Sequence, residues 1–287
     1  MALFSEAHRK PTRESFLLSR IAQQALLVPE ASILLGLLLI AWVFNFPPLI
    51  GILAIVTAFV FGLRLGLMTL AEQQLAQGAY ERADRLVQAA LRLNPWSVDA
   101  LVLRAQGLVQ QGDDEAAEAL LRRAARIYPN DPAIQSGLAT VILAQGRIAE
   151  GAQLARLDDA ADIQLPQVIQ QRAWIALHVE ENAAKARTLI LSADPSRFPP
   201  RIALPLLMTL GEAQISLGAR DAAEAVLQTI EAELPACPRS QQAELLYHLG
   251  RLRAALGESC TVYFRRSVEL DPEGRYAQSA WRSAVNG

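Results

Sequence analysis

The side chains that could do acid–base, nucleophilic or metal chemistry are few and scattered. His8, His178 and His248 lie far apart in the sequence and show no metal-ligand spacing. Cys237 and Cys260 are too few for a disulfide framework and read as free thiols of a reducing compartment. Asp158, Asp159 and Asp162 cluster tightly, yet a divalent-ion site there would need ligands from elsewhere, so they read as a solvated acidic turn. The phosphate-cradling pattern G-x-x-x-x-G-K-[ST], the dinucleotide pattern G-x-G-x-x-G and the nucleophile elbow G-x-S-x-G are all absent. The expectation is a chain with no catalytic residues, no cofactor and no metal.

The charges point the same way. Arg122, Arg123 and Arg126, then Arg251 and Arg253 with Arg265 and Arg266, form basic clusters, but glutamates are interleaved and the net charge is −2. They read as solvated faces, and binding to nucleic acid is not expected. Apolar residues reach 52% while aromatic ones stay at 6%, with alanine and leucine dominant, a composition for helices and not for β-sandwiches.

The excess apolarity is concentrated near the N-terminus. The 33 residues from Ala31 to Leu63 contain no Asp, Glu, Lys or Arg. One helix of that length would run roughly 50 Å at 1.5 Å per residue, longer than the hydrocarbon core of about 30 Å. Pro47 and Pro48 interrupt it, so the pattern predicts a hairpin: one span from about Glu30 to Phe46, a second from Leu49 past Leu63. A re-entrant hairpin is the alternative. Arg9, Lys10, Arg13 and Arg20 precede the first span and Arg64 follows the second, which sets both termini on the cytoplasmic side of a bacterial-type inner membrane. Ser32, Gly36, Ala54, Ala58, Gly62 and Gly66 form a ridge of small residues, expected either to close the hairpin or to receive another membrane subunit. Residues 12–28, with Leu17, Leu18, Ile21, Ala25 and Val28 at helical spacing, suit an interfacial helix lying on lipid.

Beyond the apolar region the sequence repeats. Gly78, Gly112 and Gly146 are 34 residues apart; Pro95 and Pro129 keep the same period, as do Ala83, Ala117 and Gly151, and Ala90 and Ala124. Glycine lets the chain turn between two helices, alanine lets helices approach, and proline stops the second helix. This period and the segment Gly78–Pro95 resemble the tetratricopeptide repeat (TPR). The hairpin read from hydropathy and the solenoid that the resemblance implies together give an all-α protein: a two-helix transmembrane hairpin followed by a right-handed α-solenoid of about six repeats. Residues 1–29 would be an arm, 30–70 the hairpin and 64–287 the solenoid. The repeats fall at about 64–97, 98–131, 132–160 and 161–198, the fourth lacking its turn glycine. The fifth contains Gly211, Gly218 and Pro235; the sixth contains Gly250, Gly257 and Pro272 and is two residues short. The stretch Pro195–Pro200 is expected to break the stack, and residues 275–284, with Tyr276 and Trp281, to cap it. No proline lies between Leu49 and Gly78, so the second span and the first repeat helix are expected to be continuous.

The resemblance also implies a concave surface lined by the first helix of each repeat, binding a peptide or a partner helix. Mapped here, it gives Asp99, Val102, Gln106 and Val109; Ser136, Thr140 and Leu143; Met208, Glu212 and Ile215; and Glu244, Tyr247 and Arg251. The family's chaperone-tail clamp needs lysines, and this chain has only Lys10 and Lys185. The expected role is a membrane-anchored scaffold that recruits a protein partner; the alternative is a stoichiometric structural subunit of a larger membrane complex.

Overall fold

The computed structural model describes residues 36–37, 39–40, 48–129, 131–157 and 165–286. The expected arm, most of the first span, Ser32 and the three aspartates of residues 158–162 lie outside them. Every element among the described residues is helical. A long helix opens the series, α1 (Pro48–Ala76), and pairs with α2 (Tyr80–Leu93). Then come α3 (Val98–Gln111) with α4 (Asp114–Ile127), α5 (Pro132–Ala144) with α6 (Ile148–Leu157), and α7 (Pro166–His178) with α8 (Ala183–Ala193). The last pairs are α9 (Pro200–Ser216) with α10 (Arg220–Glu233) and α11 (Arg239–Ala255) with α12 (Thr261–Leu270), and α13 (Ala277–Asn286) follows alone.

The turn within each pair repays the 34-residue period. Gly78, Gly112, Gly146, Gly218 and Gly257 all have φ between 71° and 83°, a conformation in which a side chain would be strained. The fourth pair has no glycine to offer, and Glu181 takes the left-handed conformation at φ 52°. An L-residue there costs on the order of 1 kcal/mol, so Glu181→Gly is expected to stabilise the protein by about 0.5–1 kcal/mol, read from the urea midpoint. No change in midpoint would mean that Glu181 recovers its strain through side-chain contacts. Helix starts are capped where the sequence supplies short polar residues: Ser97, Asp113, Asp131 and Asn182 accept hydrogen bonds from Ala100, Ala116, Ile134 and Lys185.

Small residues then let the pairs close. Ala83, Ala90, Ala117 and Ala124 are fully buried. At Gly151, the third member of the Ala83–Ala117 column, a Cβ would fall 3.2 Å from the Ala139 carbonyl and closer still to the Leu143 side chain. Each core is shared between neighbouring pairs. Met68, Ala71 and Leu75 of α1 pack with Ala83 and Val87 of α2 and Leu103 of α3. Ile169, Ala173 and Ile190 of α7 and α8 pack with Leu206 and Leu210 of α9. The stack therefore does not break at Pro195–Pro200, contrary to the sequence expectation. Pro195–Arg197 forms one 3₁₀ turn, and the apolar face beyond it meets its neighbour as the other pairs do. α12 has 10 residues where α2, α4 and α10 have 14: two are missing from the sixth repeat, and α12 starts two residues later after its turn glycine.

At its N-terminal end α1 is one unbroken 29-residue helix. Its second half is the first helix of the first repeat. Its first half exposes Ile52, Leu53, Ile55, Val56 and Phe59. Among the described residues it is the one helix long and apolar enough to cross a membrane. Ala54 is buried, Ala58, Gly62 and Gly66 are exposed, and no described atom lies within 4 Å of a Cβ built at Gly36, Gly62 or Gly66.

Candidate partner-binding surface and the segment that closes it

The turn glycines give a common frame for the inner face. Six residues before them stand Glu72, Gln106, Thr140, Glu212 and Arg251, all polar and all solvent-accessible. Ten residues before them stand Met68, Val102, Ser136, Met208 and Tyr247, of which Met68, Ser136 and Met208 are buried. Three residues before them, Leu75 and Leu143 are buried and Val109 and Ile215 pack on the cores beneath. Each first helix is flanked by its own partner and by the next repeat, so only a narrow strip of it stays open. Gln106, Thr140, Glu212 and Arg251 of the residues named from sequence form that strip.

Ser136, Leu143 and Met208 are corrected: they are packing residues. The Ser136 carbonyl accepts from Gln171 Nε2 at 3.1 Å. Leu143 sits with Ala155 and Ile175, and Met208 with Leu227 and Leu245. Val102, Val109 and Ile215 are only partly open. Asp99 is exposed but engaged with Arg64 at 3.5 Å, at the start of α3 and away from the strip.

Toward the C-terminal end the strip becomes rich in ionisable groups. His178 Nε2 lies 3.4 Å from Glu212, and this contact holds the Glu212 carboxyl below its usual range. Glu244 is solvent-exposed on α11, and the protein around it pushes its carboxyl up against the opposing pull of Arg275. Burial drives His248 down to about 4, with the Arg251 charge adding to it. Tyr247 stacks on Tyr276 at 4.7 Å, and His248 meets the same ring at 4.8 Å. Arg253, two residues after Arg251, points the other way. Its buried guanidinium bonds Glu224 at 2.6 Å, Glu258 at 2.8 Å and Glu231 at 2.9 Å, tying α10, α11 and the turn before α12.

Tyr276 belongs to a segment that sequence reading assigned to a simple cap. Residues 271–276 run from α12 back across the first two repeats. Tyr80 donates its hydroxyl hydrogen to the buried Asp271 carboxylate. The Arg275 guanidinium forks onto Asp114 at 2.7 and 2.9 Å, and the Arg275 backbone N–H donates to the Gln110 carbonyl at 2.7 Å. Gly274 leaves room for the Asp271 carboxylate, which a Cβ there would strike. The two ends of the solenoid are thus joined over the turns at Gly78 and Gly112. These pairs are 161 and 191 positions apart, and no periodicity marks them.

The comparisons agree with this architecture. A sequence profile described as tetratricopeptide repeat matches residues 74–141, the last residues of α1 through most of α5. The fold is a tetratricopeptide-type α-solenoid. Among solved structures, that of the Cut9–Hcn1 hetero-tetramer of the APC/C superposes with a TM-score of 0.53 at 13% identity, over 89% of this chain. The chain spans only 52% of that structure's length. The crystal structure of PilW, a widely conserved type IV pilus biogenesis factor, superposes with a TM-score of 0.50 at 16% identity, covering 76% of this chain and 98% of that one. Comparison with curated protein sequences gives no match. At these identities the likeness is one of fold. Among the described residues no three His, Cys, Asp or Glu side chains are grouped to hold a metal ion.

Proposed function

We propose that the protein is a membrane-anchored TPR scaffold that holds a protein partner at the membrane through its solenoid. We assign it no catalytic role. The observation that carries this reading is the continuity of α1. The helix as a whole is long and apolar enough to cross a membrane, its first half is exposed, and its second half is built into the core of the first repeat. A solenoid fixed in this way cannot swing freely, so the partner is held at a set height and orientation. In this reading residues 1–29 are an interfacial arm, 30–70 a hairpin in a cytoplasmic-type inner membrane with both termini cytoplasmic, and 64–287 the solenoid. The strip Glu72, Gln106, Thr140, Glu212 and Arg251, mixed in charge, suits a polar peptide or one face of a helix. The open ridge Ala58, Gly62 and Gly66 favours a second reading, a built-in subunit of a larger membrane complex that packs another membrane helix there.

Photo-crosslinking in native membranes separates the two. A crosslinker in place of Gln106 or Glu212 is expected to capture a protein in variable ratio to the scaffold. Capture only from positions 58 and 62, by membrane proteins at constant ratio, would favour the subunit reading. No capture from any of the four positions would leave both without support.

A further inference from the structure

The rim of the solenoid next to the end of the apolar half of α1 has features that the scaffold role does not use. Arg64 is the first charged residue after the uncharged stretch. It is buried and turned inward, donating to the Ser97 hydroxyl and pairing with Asp99. α2 runs back antiparallel along α1, so the α2–α3 loop comes level with Arg64. That loop holds Trp96 outward at 69% exposure, with Leu93 beside it at 38%. Its conformation is fixed: Trp96 N–H donates to Asn94 Oδ1 at 3.0 Å, Ser97 N–H to the Asn94 carbonyl at 3.2 Å, and Arg123 to the Pro95 carbonyl at 2.8 Å. Arg92 ends α2 and Arg126 ends α4 on the same rim, both exposed. Of the acidic groups there, Asp99 is paired with Arg64 and Asp131 accepts from the Ile134 N–H at the start of α5.

We infer that this rim, with Trp96 and Leu93 at its edge and Arg92 and Arg126 flanking them, seats on the surface of an anionic phospholipid bilayer. The inference rests on α1 spanning the membrane and deepens that reading. An exposed indole held at the level where an apolar span ends is at the depth tryptophan prefers, with its ring among the headgroups and its N–H toward water. Arginines beside it meet the negative surface within a Debye length, where their attraction is least screened. The contact gives the solenoid a second point of attachment, so the helix and the rim together fix both its height and its tilt.

The test uses the full chain reconstituted in bilayers of phosphatidylcholine and phosphatidylglycerol, with Trp42→Phe, Trp174→Phe and Trp281→Phe leaving Trp96 as the sole indole. Lipid labelled with a quencher near the headgroup is expected to remove most of the Trp96 emission. Arg92→Gln with Arg126→Gln should weaken the quenching on phosphatidylglycerol-rich bilayers and leave it unchanged on neutral ones. Trp96 emission untouched by labelled lipid overturns the inference and turns this face toward water or a protein. A separate reporter, Phe59→Trp in a chain lacking the other indoles, distinguishes the two levels. If deep-labelled lipid quenches it while Trp96 stays bright, the rim contact alone fails; if it too stays bright, the spanning reading fails with it. Should the multiple tryptophan replacement misfold, a spin label at Trp96→Cys in a Cys260→Ser background reads the same depth by collision with oxygen and with a water-soluble nickel complex.

Discussion

Arg275→Ala is expected to release the C-terminal end of the solenoid from its first two repeats while leaving the repeats folded. The guanidinium makes both of its short bonds to one carboxylate, Asp114, whose side chain is only 13% exposed. Truncation leaves that carboxylate largely desolvated and unpaired, which costs on the order of 2–3 kcal/mol for a partly buried fork. Three further contacts of the joint remain: the Tyr80–Asp271 hydrogen bond, the Tyr247–Tyr276 stack and the backbone bond from residue 275 to the Gln110 carbonyl. Their gain must now offset the entropy of holding the end in place. The repeats themselves depend on nearest-neighbour cores, so the melting temperature should move little. Spin labels on α2 and α13 should report a narrow distance distribution in the parent and a broad, longer one in the variant. The deuterium exchange of residues 271–286 should rise in step. A distance distribution that does not change would mean that Arg275 is not what holds the ends together. A cycle of Arg275→Ala with Asp114→Asn separates the pair's coupling from the loss of each partner.

What the sequence made legible was whatever repeats. Glycine at each turn, alanine at each close approach and proline after most second helices are local requirements, so they recur at the period of the structure. Helix pairs and their order follow from them. Continuity of α1 could be read for the same reason, since no helix breaker separates the apolar stretch from the first repeat. The inner strip was legible only coarsely. Sequence reading took every residue on one side of the first helices, whereas packing by two neighbours leaves about one position in four open. Ser136 illustrates the error: its small polar side chain suggests a surface, but the next repeat covers it. The joint between the ends was not legible. Asp271, Arg275 and Tyr276 meet residues far away in the chain, and their contacts arise only once the curvature of six stacked pairs has accumulated. The degenerate fourth repeat misled in the other direction. Its missing glycine and the prolines after it imply a break, but Glu181 bears the strained turn and the shared apolar core continues the stack.

Acid is expected to loosen the same joint through His248. The imidazole lies under Tyr276 and beside Tyr247, with Arg251 and Arg275 near it and the Glu212 carboxylate opposing them. Burial holds it neutral down to about 4 against an ordinary value of 6.5. Below about 4 both the closed and the unfolded chain bind the proton, and above 6.5 neither does. Between those limits the unfolded or opened chain takes up a proton that the closed form refuses, so stability from this group rises with pH across the window and falls as acid is added. At about 1.4 kcal/mol per unit, the full shift corresponds to about 3.5 kcal/mol, of which a partly accessible side chain delivers roughly 2–3 kcal/mol. Glu244, whose carboxyl is pushed up by its surroundings, has the opposite sign: the closed form holds its proton more tightly, and its contribution declines as pH rises through its folded value. The parent's pH profile is therefore a difference of two slopes, and the histidine is isolated by comparison with His248→Asn. Chemical denaturation from pH 4 to 7 should show the parent losing about 2–3 kcal/mol relative to the variant on going from pH 6.5 to pH 4, with the curves parallel above 6.5. Exchange protection of residues 271–286 should fall over the same interval, because lifting Tyr276 is the least disruptive way to rehydrate the ring. Parallel curves throughout would mean that the imidazole already charges within the closed form, and that the stacked tyrosines do not exclude water from it.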